Sequence, residues 1–413
     1  MTSSLEAPPR SSQNAVVAVL LMGVAAGFLL CGYELVRSVS VSLFIDTYGA
    51  HRLPIVMALS PVGLFVMLWG YGKLLSAKGT RHTLLLTTVL SCVGILASYV
   101  AIVSNWSVAL GFLYILREAY IVLIIEQYWS FINSTLHHKQ AQKLNGPICG
   151  IASVGAICGG LLVGFLAQRL GSVTLLLFAA ISLIPAAGMA WWAYGVGGEP
   201  KEDKTERTDS TLALGLFGKN RTLVYLALLI ATTQAVSTVL DLRFSGLLEM
   251  AKPLKDERTA FMGNFYALLN GLAFVFQFVV APFLLRMLSL RSVHLLMPAI
   301  HVLTCSVLLM NPTLLTGAIA YLVFKVLDYS VFRASKEILY IPLSFDARYR
   351  AKEVIDAFVY RGAKGALSGI FALLGSAFGR LPGFFYPGVA LGMIVIWGGL
   401  GYGLTKPQQD ALD

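Results

Sequence analysis

About twelve runs of roughly 20 apolar residues recur along this chain, and each is the length an α-helix needs to cross the hydrocarbon core of a bilayer. They fall near residues 14–36, 53–75, 82–103, 107–132, 146–168, 172–197, 221–243, 260–285, 292–310, 312–332, 353–377 and 384–404. Inside lipid every backbone N–H and C=O must be satisfied by the protein itself, so runs of this length restrict the chain to a helix bundle. Composition agrees: 57% of residues are hydrophobic and 13% charged, where soluble domains carry about 25% charge. The first run follows a polar tail over residues 1–13 and has no small-residue cleavage site after it, so it reads as a retained helix.

The formal net charge of +10 raises the question of nucleic acid, but the placement of the charges answers it. With the N-terminus cytoplasmic, about 19 of the 31 Lys and Arg fall in inner segments, among them Lys73, Lys78, Arg81, Lys139, Lys143, Arg286, Arg291 and Lys352. That asymmetry is the positive-inside signature of a multi-pass membrane protein with both termini in the cytoplasm. No nucleic-acid partner is expected. The five cysteines all fall within spans, and neither they nor the six histidines stand at ligand spacing, so no metal or other cofactor is expected.

One long polar stretch, "GGEPKEDKTERTDST" at residues 197–211, divides six spans from six. It predicts an N-terminal half over 14–197, a cytoplasmic linker over 198–220, a C-terminal half over 221–404, and a tail over 405–413. The turn "GKLLSAKGTR" after the second span and "PFLLRMLSLR" after the eighth are short and basic in matching places. The first resembles the inner-loop motif of the major facilitator superfamily, with Ser76 where an Asp usually stands. The resulting expectation is an all-α membrane protein of twelve transmembrane helices in two six-helix halves, major-facilitator-like.

Ionisable residues inside the spans are costly unless paired or facing water, and here they follow a period of three spans. The first carries Glu34 and Arg37, the fourth Arg117, Glu118 and Glu126, the seventh Asp241 and Arg243, and the tenth Lys325 and Asp328, while the eleventh adds Asp356, Arg361 and Lys364. Such a period is what a polar pathway lined by the first helix of each three-helix repeat produces. The six acids and six bases balance, so the pathway is near neutral. Lys325 and Asp328, about 60° apart on an α-helix, are expected to neutralise each other. Gly146, Gly150, Gly155, Gly159, Gly160 and Gly164 give the fifth span a small-residue face suited to close helix packing. There is no phosphate-binding Gly-rich loop ending in Lys-Ser or Lys-Thr and no nucleophile motif beside the membrane carboxylates, so neither an ATP-driven pump nor an enzyme is expected.

The stretch "YSVFRASKEILYIPL", Tyr329 to Leu343, closely resembles the nucleotide (ATP/ADP) translocase family, in which Tyr-Ser-x-Phe leads into Lys-Glu-x-x-Tyr-Ile-Pro-Leu. "RAKEVIDAF", with Lys352 and Asp356, "YELVR" at Tyr33 to Arg37, "QYWSFIN" at Gln127 to Asn133 and "FMGNFYALLNG" at Phe261 to Gly271 extend the resemblance over nearly the whole helical core. The resemblance implies a major-facilitator-like fold, a place in the inner membrane of a bacterium, and the exchange or uptake of phosphorylated metabolites. Two departures bear on the substrate. Ser40 stands where the family has a lysine, and Asp328 and Arg333 stand where it has a lysine and an aspartate, so ATP itself is disfavoured.

The sequence reading is therefore a secondary transporter, working as an antiporter or by ion coupling through rocker-switch alternating access, for a polar, anionic, nucleotide-like metabolite or other organic anion. Its expected substrate contacts are Arg37, Arg117, Glu118, Asp241, Lys325, Asp328, Arg361 and Lys364, with Glu118 or Glu126 as a proton carrier where burial favours its neutral form. Its expected partners are the small-molecule substrate, a coupling proton or counter-anion and the lipid bilayer, and its expected state is a monomer. The alternatives are a proton-coupled carrier of a zwitterion, peptide or drug, favoured by the balanced charge, and a membrane protein that senses or interacts without transporting.

Overall fold

A computed structural model describes residues 12–199, 217, 220–343 and 352–405. Most of the predicted linker and both tails lie outside the described residues, as do the side chains of Ser12, His138, Glu353, Asp356 and Ala357.

The described chain is helical throughout, as the apolar runs require. The helices are α1 (Ser12–Tyr48), α2 (Leu53–Val103), α3 (Val108–Thr135), α4 (His138–Leu170), α5 (Leu175–Gly197) and α6 (Arg221–Ala251). They continue as α7 (Lys255–Met287), α8 (Leu290–Met310), α9 (Leu314–Leu339), α10 (352–378) and α11 (Phe385–Leu404). Ten helices among the described residues are long and apolar enough to span a membrane. The difference from the expected twelve has two sources. The second and third runs merge into the 51-residue α2, and α10 is not among the ten. Within α2 the backbone leaves the helix at Gly79, at φ 74° and ψ 176°, a conformation open to glycine and strained for a residue with a Cβ. This corner lies inside the basic turn "GKLLSAKGTR".

The chain folds as two compact units, one of Met1–Ser40 with Gly63–Lys204 and the other of Val41–Val62 with Thr205–Asp413. The sequence placed all of α1 and α2 in the N-terminal half; here the end of α1 and the start of α2 group with the second unit. In the first unit, α1 and α4 touch backbone to backbone. A Cβ on Gly155 would lie 2.0 Å from the Gly27 carbonyl oxygen, and one on Gly159 would lie 2.4 Å from that of Cys31. The small-residue face read from the sequence is thus a packing surface at these two positions. A Cβ on Gly32 would collide with Ser182 of α5 at 1.9 Å, so α1 is closely approached from a second side.

In the second unit α6 is the most buried span, with 72% of its most apolar stretch covered. It packs against α9, α10 and α11. Phe244 of α6, Phe265 of α7 and Tyr321 of α9 stack with ring centroids 4.7 to 5.9 Å apart, an arrangement worth about 0.5 to 1.5 kcal/mol per pair beyond burial. Three helices of this unit contain a π-helical turn, Phe276–Val280 in α7, Asp328–Phe332 in α9 and Ile355–Val359 in α10. Such turns are rare and are frequent at functional sites.

Candidate functional site

In the first unit four charged residues converge where α1 faces α3. Glu34 and Arg37 stand one turn apart on α1, and their side chains meet at 3.4 Å. Arg117, only 4% exposed, reaches across from α3. It donates through Nη1 to the Arg37 main-chain carbonyl at 2.8 Å and to Ser40 Oγ at 3.1 Å. Its Nη2 lies 3.1 Å from Glu118 Oε1, and its guanidinium sits 3.9 Å over the Tyr114 ring. A buried arginine is thus held by a carbonyl, a hydroxyl, a carboxylate and a ring. Arg37 and Glu118 keep 12% and 26% of their side-chain surface, and Arg117 is bonded to the main chain of the first and the carboxylate of the second. Ser40, where the resembled translocases have a lysine, is therefore beside a cation supplied by another helix.

In the second unit the centre is the π turn of α9. Lys325 is buried, and its ammonium lies 5.2 Å from the Tyr329 ring and 5.9 Å from those of Tyr321 and Phe324. It interacts electrostatically with Tyr329, Tyr360, Asp328 and Lys364. Asp328 opens the π turn, with Gln234 of α6 nearby. Among the described ion pairs there is no Lys325–Asp328 contact within 4.0 Å. Lys325 is thus a ring-lined lysine with the Asp328 carboxylate in electrostatic reach, beyond the contact distance of an ion pair.

The remaining predicted residues are placed less centrally. Asp241 is half-buried on α6, two helical turns beyond Gln234 and close to its face, or about 10 Å along the axis. Arg361 and Lys364 are half-buried on α10, with Lys364 in electrostatic reach of Lys325. Glu126 is exposed on α3 and near Tyr71, so its carboxylate is not the buried acid the sequence reading required. Glu118 retains that character in part.

Two groupings escaped the sequence reading. Arg258, 2% exposed at the start of α7, donates to the carbonyls of Ser42 at 2.9 Å, Lys252 at 3.1 Å and Pro253 at 2.8 Å, and lies 3.8 Å from Asp46. Ser42 Oγ adds a bond to the Lys255 carbonyl at 2.7 Å. Separately, Lys352 Nζ meets Glu337 Oε2 at 2.5 Å, joining the two motifs "KEILYIPL" and "RAKEVIDAF". Both residues stood in those motifs, and their pairing was not drawn from them.

Known transporters share this architecture. The chain superposes on the nucleoside transporter NupG with a TM-score of 0.72 at 12% identity, covering 94% of this chain and 100% of that one. It matches a bacterial homologue of the iron transporter ferroportin at 0.71, with 14% identity and 95% and 98% coverage. For the xylose transporter XylE from E. coli the TM-score is 0.64 at 14% identity, with 96% and 98% coverage. The fold is shared with these transporters, and its ten long apolar helices among the described residues make the chain a multi-pass membrane protein.

Among curated proteins the similarity is to ADP,ATP carriers. "ADP,ATP carrier protein 1" of Chlamydia trachomatis is 24% identical over 348 residues, and that of Chlamydia muridarum 23%, each covering 72% of this chain. The chain spans 65% of the length of these relatives. These relatives and neighbours are transporters rather than enzymes. No protein-family model matches the chain.

Proposed function

We propose that this protein is a secondary transporter working by alternating access, with a polar, anionic metabolite of the nucleotide-like or organic-anion class as its substrate. The observation that carries the reading is the Arg117 clamp, which spends one buried arginine to hold Arg37 and Glu118 in fixed places within an apolar bundle. Fixed charges in a membrane protein are costly and mark pathways for polar solutes. Arg37 supplies positive charge in the first unit, and Lys325 supplies it in the second, where Arg361 and Lys364 add more on α10. In this reading α2 crosses the bilayer twice about Gly79 and α10 crosses once, which makes twelve spans in two halves of six. Both termini are then cytoplasmic.

A second reading, proton-coupled carriage of a zwitterion or peptide, is favoured by Glu34 and Glu118 standing beside the arginines. Uptake of labelled nucleotides, sugar phosphates and peptides into proteoliposomes tests both. Counter-exchange of an anion without a pH gradient supports the first. Uptake that needs an inward proton gradient supports the second, and no uptake of any of these classes overturns both.

A further inference from the structure

Three arginines of the bundle spend their charge on partners already described. Arg37 meets Glu34, Arg117 holds a carbonyl, a hydroxyl and a carboxylate, and Arg258 holds three carbonyls. Arg243, half-buried on α6 about two turns before its Ala251 end, is different. Among the described residues it makes no hydrogen bond and no ion pair: its Nε is enclosed without a partner, while Nη1 and Nη2 are not enclosed. The ionisable group that acts on it is Tyr386, in the first turn of α11. Asp241, two residues earlier, stands about 160° away around the helix. The turn between α10 and α11 lies against the guanidinium, where a Cβ on Gly383 would sit 2.9 Å from both Nη1 and Nη2. A side chain there would cover the two nitrogens, and glycine leaves them open. The Phe371 ring of α10 packs 5.5 Å from that of Tyr386 and holds it in place.

A guanidinium partly withdrawn from water is costly until a counter-charge meets it. No carboxylate among the described residues acts on Arg243, so the counter-charge comes from outside the chain. We propose that Arg243 and the Tyr386 hydroxyl form a phosphate-binding site in the second unit, with Nη1 and Nη2 as paired donors and the hydroxyl as a third. Two parallel N–H groups match two oxygens of a phosphate, which is why arginine serves such groups better than a point charge does. Gly383 sets the size of the opening, because its backbone is the part of the chain that lies against both nitrogens. The phosphate of a free anion and that of an anionic lipid headgroup present the same chemistry here, and the site does not depend on what the protein carries.

The test uses full-length protein, lipid-depleted in maltoside detergent, and the arginine reagent p-hydroxyphenylglyoxal, with the modified residues found by peptide mass spectrometry. Arg243 is expected to react, and Arg117 and Arg258 to stay unmodified. Inorganic phosphate, compared with chloride at equal ionic strength, slows the Arg243 reaction about five-fold where the anion is free, and phosphatidylglycerol does so where it is a headgroup, the effect of one cation meeting one anionic group. Either result supports the site and names its source. An Arg243 that is not modified, or a rate that neither probe changes, overturns the proposal. So does slowing by phosphatidylcholine equal to that by phosphatidylglycerol with inorganic phosphate inert, which is shielding by any lipid. Thermal shift gives a second measure. Apparent affinity for the effective probe should fall about ten-fold in Arg243→Gln, the loss of one charge-assisted hydrogen bond, and less in Arg243→Lys and Tyr386→Phe, while Lys139→Gln, an exposed lysine of the first unit, leaves it unchanged. Equal affinity in Arg243→Gln and wild type overturns the proposal, and if that variant does not fold, the reagent experiment on the wild type decides.

Discussion

Arg117 hydrogen-bonds the main-chain carbonyl of Arg37, 80 residues earlier in the chain, at 2.8 Å. A carbonyl at that point of α1 takes a charged donor in place of water, and such bonds contribute about 1.5 to 3 kcal/mol each. Arg117→Ala is expected to lower the apparent melting temperature strongly and to abolish transport. Arg117→Lys cannot span both acceptors and should recover little. Ser40→Ala removes the hydroxyl alone, and should cost about 1 kcal/mol with transport retained. A double-mutant cycle between Arg117 and Ser40 checks the contact, and additive effects would place the guanidinium elsewhere.

Lys325 is buried, and Asp328 lies in its electrostatic reach without direct contact, so their coupling is expected to exceed the roughly 0 to 1 kcal/mol of exposed pairs. The measurement is a double-mutant cycle of Lys325→Met with Asp328→Asn, read by thermal stability. Additive effects would show that the two charges do not neutralise each other.

Gly155→Ala places a Cβ 2.0 Å from a backbone oxygen that cannot rotate away. Helices α1 and α4 must part, and a loss of about 1 to 3 kcal/mol is expected, as for other overpacked sites. Gly188, on α5, has nothing within 4 Å of such a Cβ. Gly188→Ala should be neutral or stabilising by up to about 1 kcal/mol, since alanine is the better helix former. Side-by-side melting curves of the two variants check the contrast.

Arg258→Gln is expected to destabilise the protein more than Lys252→Gln. The arginine is buried and satisfies three carbonyls, whereas Lys252 forms a half-exposed pair with Glu257 at 3.6 Å, of the kind worth about 0 to 1 kcal/mol. Arg258→Lys should fall close to Arg258→Gln, because a point ammonium does not reproduce a fork. Thermal stability of the three purified variants decides.

The proposed orientation is checked by single cysteines at two exposed positions, His137 and Ala251. On a background without native cysteines, an impermeant thiol reagent on intact cells should label Ala251→Cys and leave His137→Cys shielded. The opposite pattern reverses the topology.

The positions of the helices were legible because hydrocarbon imposes both a length and an apolar composition, and few residues could mislead. The turn at Gly79 was legible as a basic motif, though its backbone continuity with both flanking spans was not. The clamp was partly legible: Glu34, Arg37, Arg117 and Glu118 stand out as charges inside apolar runs, but the acceptor Arg117 finds on α1 is a backbone carbonyl, which leaves no mark in sequence. Arg258 was missed for a related reason. It sits in "KPLKDER", where charge density reads as an exposed loop, and its burial comes from the carbonyls of Ser42, Lys252 and Pro253 folding around it. The widened turn that Asp328 opens was not legible, because a helical wheel assumes 100° steps throughout.

That widening reaches beyond one residue. Each π turn holds about one residue more than an α turn, so the side chains after it are rotated by about 100° from where an unbroken wheel puts them. In α7, α9 and α10 the segments before and after residues 276–280, 328–332 and 355–359 therefore obey two different phases. Deleting one residue in any of these turns would restore a single phase and swing everything beyond it about a quarter turn; in α9 that carries Glu337 and Tyr340 away from Lys352. A homologue that lacks the extra residue would align across this half only through a gap in mid-span, a place where insertions are otherwise rare because lipid leaves no loop to absorb them.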